Sequence, residues 1–134
     1  MFTFQPSSKL QNTLSFVGRI LLSLIFVVSG FGKLAAPAGT IGYISSVGLP
    51  FPELGYALAV FAEVGLGLAL LVGFKARLAA AGLAVFTLAT ALAFHNNFAD
   101  QIQMIMFMKN ITIIGGLLLV VAHGAGGFSL DNRK

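Results

Sequence analysis

Long runs of apolar residues, separated by short polar stretches, dominate the chain. Four such runs cover approximately residues 14–31, 54–73, 78–94 and 102–122. Each run has about 17 to 21 residues, which is the length that a helix needs to cross roughly 30 Å of hydrocarbon. Backbone groups in lipid must be hydrogen-bonded within the segment, so the runs predict helices and not strands. The pattern therefore predicts an all-α, integral-membrane four-helix bundle.

Proline, glycine and asparagine mark the connections between the runs. The longest connection contains Pro37, Pro50 and Pro52, and residues 43–47 within it predict a short helical or interfacial piece. The glycine-rich residues 124–127 follow the last run and predict a helix stop.

Composition supports a membrane protein, since 57% of the 134 residues are hydrophobic and only 9% are charged. A soluble domain has about 25% charged residues. This chain has too few charged residues to cover a water-exposed surface. The length predicts a single domain over residues 1–134. The net charge is +4, but the basic residues are scattered singly, which is typical of membrane orientation signals and not of nucleic-acid binding.

The basic residues also predict the orientation. If the chain crosses the membrane four times, both termini lie on the same side. Five basic residues fall on that side: Lys9, Lys75, Arg77, Arg133 and Lys134. The other side has Lys33, with Glu53 and Asp100, so both termini are predicted to be cytoplasmic. A cleaved signal peptide ending near residues 36–38 is the alternative. It would need Arg19 in its basic region and an unusually late cleavage, so a retained first helix is favoured.

Three charged residues lie inside the apolar runs, namely Arg19, Glu63 and Lys109. A charge at the bilayer centre costs about 2.5–3.5 kcal/mol, so these residues are expected to face one another or water. The helical rise orders them in depth with Glu63 between the two cations, which predicts that Glu63 pairs with Arg19 and Lys109. Two interpretations remain open: a purely structural pairing, or a site whose surplus positive charge binds an anionic or electron-rich ligand.

Helical periodicity places these charges on polar stripes. The first stripe comprises Ser15, Arg19, Ser23, Phe26, Gly30 and Lys33. The second comprises Tyr56, Val60, Glu63, Gly67 and Leu70. A looser group in the fourth run comprises Gln103, Met106, Lys109, Asn110 and Gly116. Small and polar residues of this kind allow close helix contacts and hydrogen bonds between helices, so the stripes are expected to line the bundle interior.

Other chemistry is sparse. The chain has no cysteine, which excludes thiolate catalysis and iron–sulfur ligation by its own residues. His95 and His123 fall at opposite ends of the bundle and cannot both ligate one haem, and no metal site is predicted. The thirteen phenylalanines are assigned to packing and lipid contact, except Phe26, which shares the stripe of Arg19.

An ordered set of short motifs resembles the DoxX family of small four-helix membrane proteins. The set consists of Arg19, residues 29–33 (SGFGK), 48–50 (GLP), 62–63 (AE), 76–77 (AR), 94–95 (FH), 107–110 (FMKN) and 115–116 (GG). The resemblance extends over approximately residues 14–131. It implies a multi-pass protein of the bacterial inner membrane, in a family that includes a subunit of a thiosulfate:quinone oxidoreductase, a partner of oxidative-stress enzymes and receptor-assembly chaperones.

The resemblance and the stripes together give the candidate ligand-binding residues: Arg19, Phe26, Lys33, Tyr56, Glu63, His95, Lys109 and Asn110. The leading hypothesis is an accessory subunit of a quinone-linked or oxidative-stress redox system, with a quinone as the expected cofactor and a membrane or peripheral redox protein as the expected partner. The alternatives are a non-enzymatic scaffold or assembly factor, and a small-solute carrier that works as a homo-oligomer. No catalytic residue is predicted.

The depth estimates also predict the effect of two substitutions. Glu63→Ala would leave two buried cations without a partner, which costs about 3–5 kcal/mol. Arg19→Ala is expected to be milder, because Arg19 lies only roughly 8 Å from the start of its helix.

Overall fold

The computed structural model describes residues 7–132. Within this range the chain forms five α-helices: α1 Ser8–Ala35, α2 Pro37–Ser46, α3 Pro52–Val72, α4 Ala76–Phe94 and α5 Gln101–His123. All of them except α2 are long and apolar enough to cross a membrane, which confirms the predicted all-α fold with four spans. Arg133 and Lys134, used to predict the orientation, lie outside the described residues.

Each spanning helix begins before the apolar run that predicts it. Helix α1 begins six residues before and ends four residues after the predicted residues 14–31. The Ser7 hydroxyl caps its first turn by accepting a hydrogen bond from the Leu10 N–H at 3.1 Å. Hydropathy marks the part of a helix that crosses hydrocarbon, whereas the helix itself continues through the interface. Helix α2 likewise begins before the predicted residues 43–47, at Pro37, and ends at Ser46.

The four spans run alternately up and down. One end of the bundle, here called the strap end, holds the start of α1, the turn between α3 and α4, and the strap, residues 124–132. The other end, the cavity end, holds α2 and the loop between α4 and α5. Helix α1 packs on α3, α3 on α4, and α4 along α5, whereas α5 makes few contacts with α1.

The core lies where α4 meets its neighbours. Leu70 of α3, Leu83 of α4 and Leu117 of α5 are fully buried. Helix α4 contributes small buried residues, including Ala79 and Ala80, which let the helix backbones approach closely.

The strap closes the bundle opposite the cavity. Helix α5 ends at His123 because Gly124 adopts a left-handed φ of 82°, as the glycine-rich stretch predicts. The carboxylate of Asp131 then accepts hydrogen bonds from the N–H groups of Lys75 at 2.6 Å and Ala76 at 2.8 Å. These bonds cap α4, whose own N-cap position carries no side-chain cap.

Candidate functional site

A cavity of about 620 Å³ lies at the cavity end, between α1, α3, α4 and α5, with α2 alongside it. Its polar lining residues are Ser29, Lys33, Thr40, Tyr43, Glu63, Thr87, Thr90, His95, Lys109 and Asn110. Its larger apolar lining residues are Ile25, Phe26, Ile44, Leu49, Phe86, Phe94, Met106 and Ile113. The cavity combines an apolar wall with a limited set of polar groups, as small-molecule sites do.

An ion pair forms part of the cavity wall. The Lys33 ammonium donates to both carboxylate oxygens of Glu63, at 2.9 and 3.0 Å, and to the Ser29 hydroxyl at 3.0 Å. These three bonds use all three ammonium donors. The Glu63 side chain is only 7% exposed and that of Lys33 25% exposed, so the pair is largely removed from solvent. Lys33 and Glu63 therefore satisfy each other.

Two local features place Glu63 against α1. Glu63 lies in a π-helical turn, Phe61–Leu66, that interrupts α3, and such turns are common at functional sites. Opposite it, α1 presents Gly30, a buried glycine without a side chain to separate the helices. The backbones of α1 and α3 can therefore approach closely one turn before Lys33.

The close approach makes Gly30 sensitive to substitution. A Cβ at this position would lie 2.6 Å from Cγ2 of Val64 and 3.0 Å from its backbone nitrogen. We expect Gly30→Ala to destabilise the protein by about 1–3 kcal/mol, because α1 must move away from α3. Denaturant unfolding in detergent micelles measures this change. Gly32→Ala is the matched control, since a Cβ there meets nothing within 4 Å, and equal effects of the two substitutions would contradict the packing argument.

A second set of polar side chains in the cavity has no partner within residues 7–132. The side chains of Tyr43, His95, Lys109 and Asn110 line the cavity, but none of them makes a side-chain hydrogen bond or ion pair in this part of the chain. The Tyr43 ring is stacked on Phe94 at 5.3 Å between ring centroids, which holds α2 against α4. These four side chains present donors and acceptors to whatever occupies the cavity.

The charges of the cavity do not balance. Lys33 and Lys109 carry one positive charge each and Glu63 carries one negative charge, which leaves a surplus of +1. Since Lys33 and Glu63 are paired, the surplus belongs to Lys109.

The predicted pairing of Glu63 with Arg19 and Lys109 is wrong. Within the described residues the partner of Glu63 is Lys33, a member of the predicted stripe of α1. Lys109 lines the same cavity without pairing with Glu63, and Arg19 lies at the strap end. The prediction placed the carboxylate correctly in the interior of the bundle, where it is buried, but assigned the wrong cation to it.

Arg19 holds the strap instead. Its guanidinium donates to the carbonyl oxygens of Ala125 at 2.5 Å, Phe128 at 2.8 Å and Leu71 at 3.3 Å. The residue is 3% exposed although it lies in the first half of α1. Arg19→Ala is therefore no longer expected to be milder than Glu63→Ala, and Arg19 does not line the cavity.

Most of the other candidate ligand-binding residues lie at the cavity. Phe26, Lys33, Glu63, His95, Lys109 and Asn110 all line the cavity. Tyr56 does not, but its hydroxyl donates to the Lys33 carbonyl at 3.1 Å, next to the ion pair. His123 is at the strap end, so the two histidines lie at opposite ends of the bundle.

Sequence reasoning missed several lining residues. Tyr43 lies on α2, which was predicted only as a short piece, and its contact with Phe94 depends on how α2 folds over the bundle. Thr87, Thr90 and Phe94 share one face of α4 at spacings of three and four residues, and this pattern is a signal that could have identified them.

Comparisons with known proteins agree with a membrane-spanning chain. The family model described as DoxX matches residues 14–96. The chain is 44% identical over 129 residues to the inner membrane protein YqjF of Escherichia coli (strain K12), which covers 94% of this chain and 98% of that protein. It is 37% identical over 122 residues to the inner membrane protein YphA of the same organism, which covers 87% of each chain.

A more distant relative comes from yeast. The ER-derived vesicles protein ERV29 of Saccharomyces cerevisiae is 31% identical over 128 residues, which cover 96% of this chain but 36% of that protein. No solved structure gives a significant match.

Proposed function

Since the chain belongs to the DoxX family and is a multi-pass protein of the bacterial inner membrane, we propose that its cavity binds a lipid-soluble quinone and that the protein is an accessory subunit of a redox system. The observation that carries the proposal is the set of four unpartnered polar side chains beside aromatic rings in one cavity. They are Tyr43, His95, Lys109 and Asn110.

The chemistry of the cavity suits a quinone head group. Its volume, about 620 Å³, is in the range of small-molecule sites. Phe26, Phe86 and Phe94 supply apolar and aromatic surface for a flat ring. The two carbonyl oxygens of a quinone accept hydrogen bonds, and the Lys109 ammonium and the Asn110 amide are donors. A cation also favours the electron-rich reduced states of the ring.

The accessory role follows from what the chain lacks in its sequence. It has no cysteine to hold an iron–sulfur centre, and we propose that another protein delivers electrons to the quinone. That partner is a membrane or peripheral redox protein. We further propose that the strap end faces the cytoplasm, since Lys9, Lys75 and Arg77 lie there, whereas Lys33 at the cavity end is turned toward Glu63.

Quinone binding tests the proposal directly. Wild-type protein in lipid nanodiscs is expected to bind radiolabelled decylubiquinone saturably. Lys109→Met and Asn110→Leu are each expected to weaken binding, Lys109→Met by about 10- to 100-fold, because a hydrogen bond from a charged donor contributes about 1.5–3 kcal/mol. Lys9→Met is the control, since it removes an exposed cation far from the cavity.

Two results would contradict the proposal. One is the lack of saturable binding by the wild type, and the other is an equal affinity of the Lys109→Met and Lys9→Met variants. If binding is absent and crosslinking in cells recovers a stable membrane partner, a scaffold or assembly factor becomes the better description.

A further inference from the structure

Helices α1 and α5 both line the cavity, but a gap separates them over part of their length. Helix α5 follows α4 but makes few contacts with α1. One contact joins Gly116 of α5 to Leu22 of α1, where a Cβ on the glycine would lie 3.4 Å from a methyl carbon of Leu22. From this point toward the cavity end, α1 contributes Ile25 and Ser29 to the cavity lining and α5 contributes Met106, Lys109 and Ile113, which places the gap beside the cavity.

The margins of the gap are formed by residues that are both cavity-lining and exposed. On α1 the margin residue is Ile25, which is 39% exposed, and on α5 it is Met106, which is 40% exposed. Ile113 of α5 also lines the cavity, but it is half-buried and packs against the core. We call the gap bounded by Ile25 and Met106 the portal. Its apolar margins contrast with the polar groups deeper in the cavity.

We expect the portal to face lipid. It lies between two membrane-spanning helices, and the adjacent surface of each helix is apolar and exposed, as at Leu21 of α1 and Ile105 of α5. Lys109 lies beside the portal as an exposed cation within a span. A cation at such a position is costly in lipid unless an acceptor or a negative charge is close to it. An occupant that places its polar head next to Lys109 removes this cost.

We propose that the cavity takes up its ligand sideways from the bilayer through the portal, and that the ligand is a tailed amphiphile. Its head group accepts hydrogen bonds from Lys109 and its neighbours, while its apolar tail passes between Ile25 and Met106 into the lipid. This inference rests on the ligand site of the proposed function and adds the route of the ligand and the position of its tail. A head group without a tail leaves the portal empty and loses the apolar contacts there.

Tail dependence is the first test. Binding of decylubiquinone, which has a ten-carbon tail, is compared in nanodiscs with binding of tail-less ubiquinone-0, after correction for partition into the lipid. Each buried CH₂ contributes about 0.8 kcal/mol, so burial of even two carbons predicts at least about tenfold tighter binding of the tailed probe. Equal corrected affinities would overturn the proposal.

Blocking the portal is the second test. Ile25→Trp and Met106→Trp place bulk at its two margins and are expected to slow the association of decylubiquinone about tenfold, as measured by rapid filtration. The matched controls are Leu24→Trp and Met104→Trp, exposed apolar positions at similar depth on other faces of the same helices. Thermal melting identifies any variant that does not fold. Because each margin is tested by its own variant, the other variant still tests the proposal if one of them does not fold.

The outcomes separate the two proposals. If ubiquinone-0 and decylubiquinone bind equally and the Trp variants match their controls, lateral access is wrong while quinone binding stands. If neither probe binds to the wild type, both proposals fail. Tail-dependent binding that is slowed only by the margin variants supports both.

Discussion

Glu63→Ala is expected to lower the free energy of unfolding by about 3–5 kcal/mol, because removing one member of a buried ion pair leaves the other charge uncompensated. The Lys33 ammonium would keep only its bond to Ser29 after losing both bonds to the Glu63 carboxylate. Glu63→Gln is expected to have a smaller effect, because the amide oxygen can still accept one hydrogen bond from Lys33. Unfolding by SDS in mixed micelles measures the differences.

Two controls make this prediction specific to the pair. Glu53→Ala removes an exposed carboxylate from the first turn of the same helix and is expected to change stability by less than about 0.5 kcal/mol. The double variant Lys33→Met with Glu63→Leu removes both charges and is expected to recover most of the loss, because apolar replacement of a buried pair is often neutral. Equal effects of Glu53→Ala and Glu63→Ala, or an additive double variant, would refute the role of the pair.

The identity of the partner of Glu63 shows where sequence reasoning succeeded and failed. Periodicity placed Lys33 and Arg19 on one stripe of α1, and Arg19, Ser23, Phe26 and Gly30 of that stripe are buried. The apolar run ends near residue 31, so Lys33 was not among the charges predicted to pair with Glu63, whereas α1 continues to Ala35. Those extra residues place the ammonium within hydrogen-bonding distance of Glu63. The predicted partners were the cations inside the apolar runs, whereas the cation that pairs with Glu63 lies just beyond the end of one run.

The pattern of hydrophobic and polar residues did not predict the cavity itself. Hydropathy identified four spans, and the stripes identified six residues that line the cavity. Whether α5 closes against α1 depends on the rotation and tilt of α5, and its weak amphipathic pattern does not determine these. The contribution of Tyr43 depends on α2 folding over the cavity end, which is a tertiary contact with Phe94. Such contacts join residues far apart in the sequence and leave no local signal.

Arg19→Ala is expected to destabilise the protein at least as strongly as Glu63→Ala and to release the strap. The guanidinium donates to carbonyl groups of both α3 and the strap, at Leu71, Ala125 and Phe128. A hydrogen bond from a charged donor contributes about 1.5–3 kcal/mol, so losing three of them predicts a loss of about 4 kcal/mol or more even when their effects are not additive. Arg19→Lys is expected to recover little, since one ammonium cannot reproduce the planar fork of donors.

Release of the strap can be observed separately from global unfolding. The chain has no cysteine, so Ala125→Cys introduces a single thiol at a position that is 6% exposed. This thiol should react slowly with a water-soluble maleimide in the otherwise wild-type protein, and at least about tenfold faster when Arg19→Ala is added, because a local opening then needs about 1.4 kcal/mol less free energy. Lys9→Ala removes an exposed cation from the same helix and should leave the rate unchanged. If the thiol reacts equally fast in both backgrounds, Arg19 does not hold the strap. Its hydrogen bonds to the carbonyl groups would then not stabilise this end of the bundle.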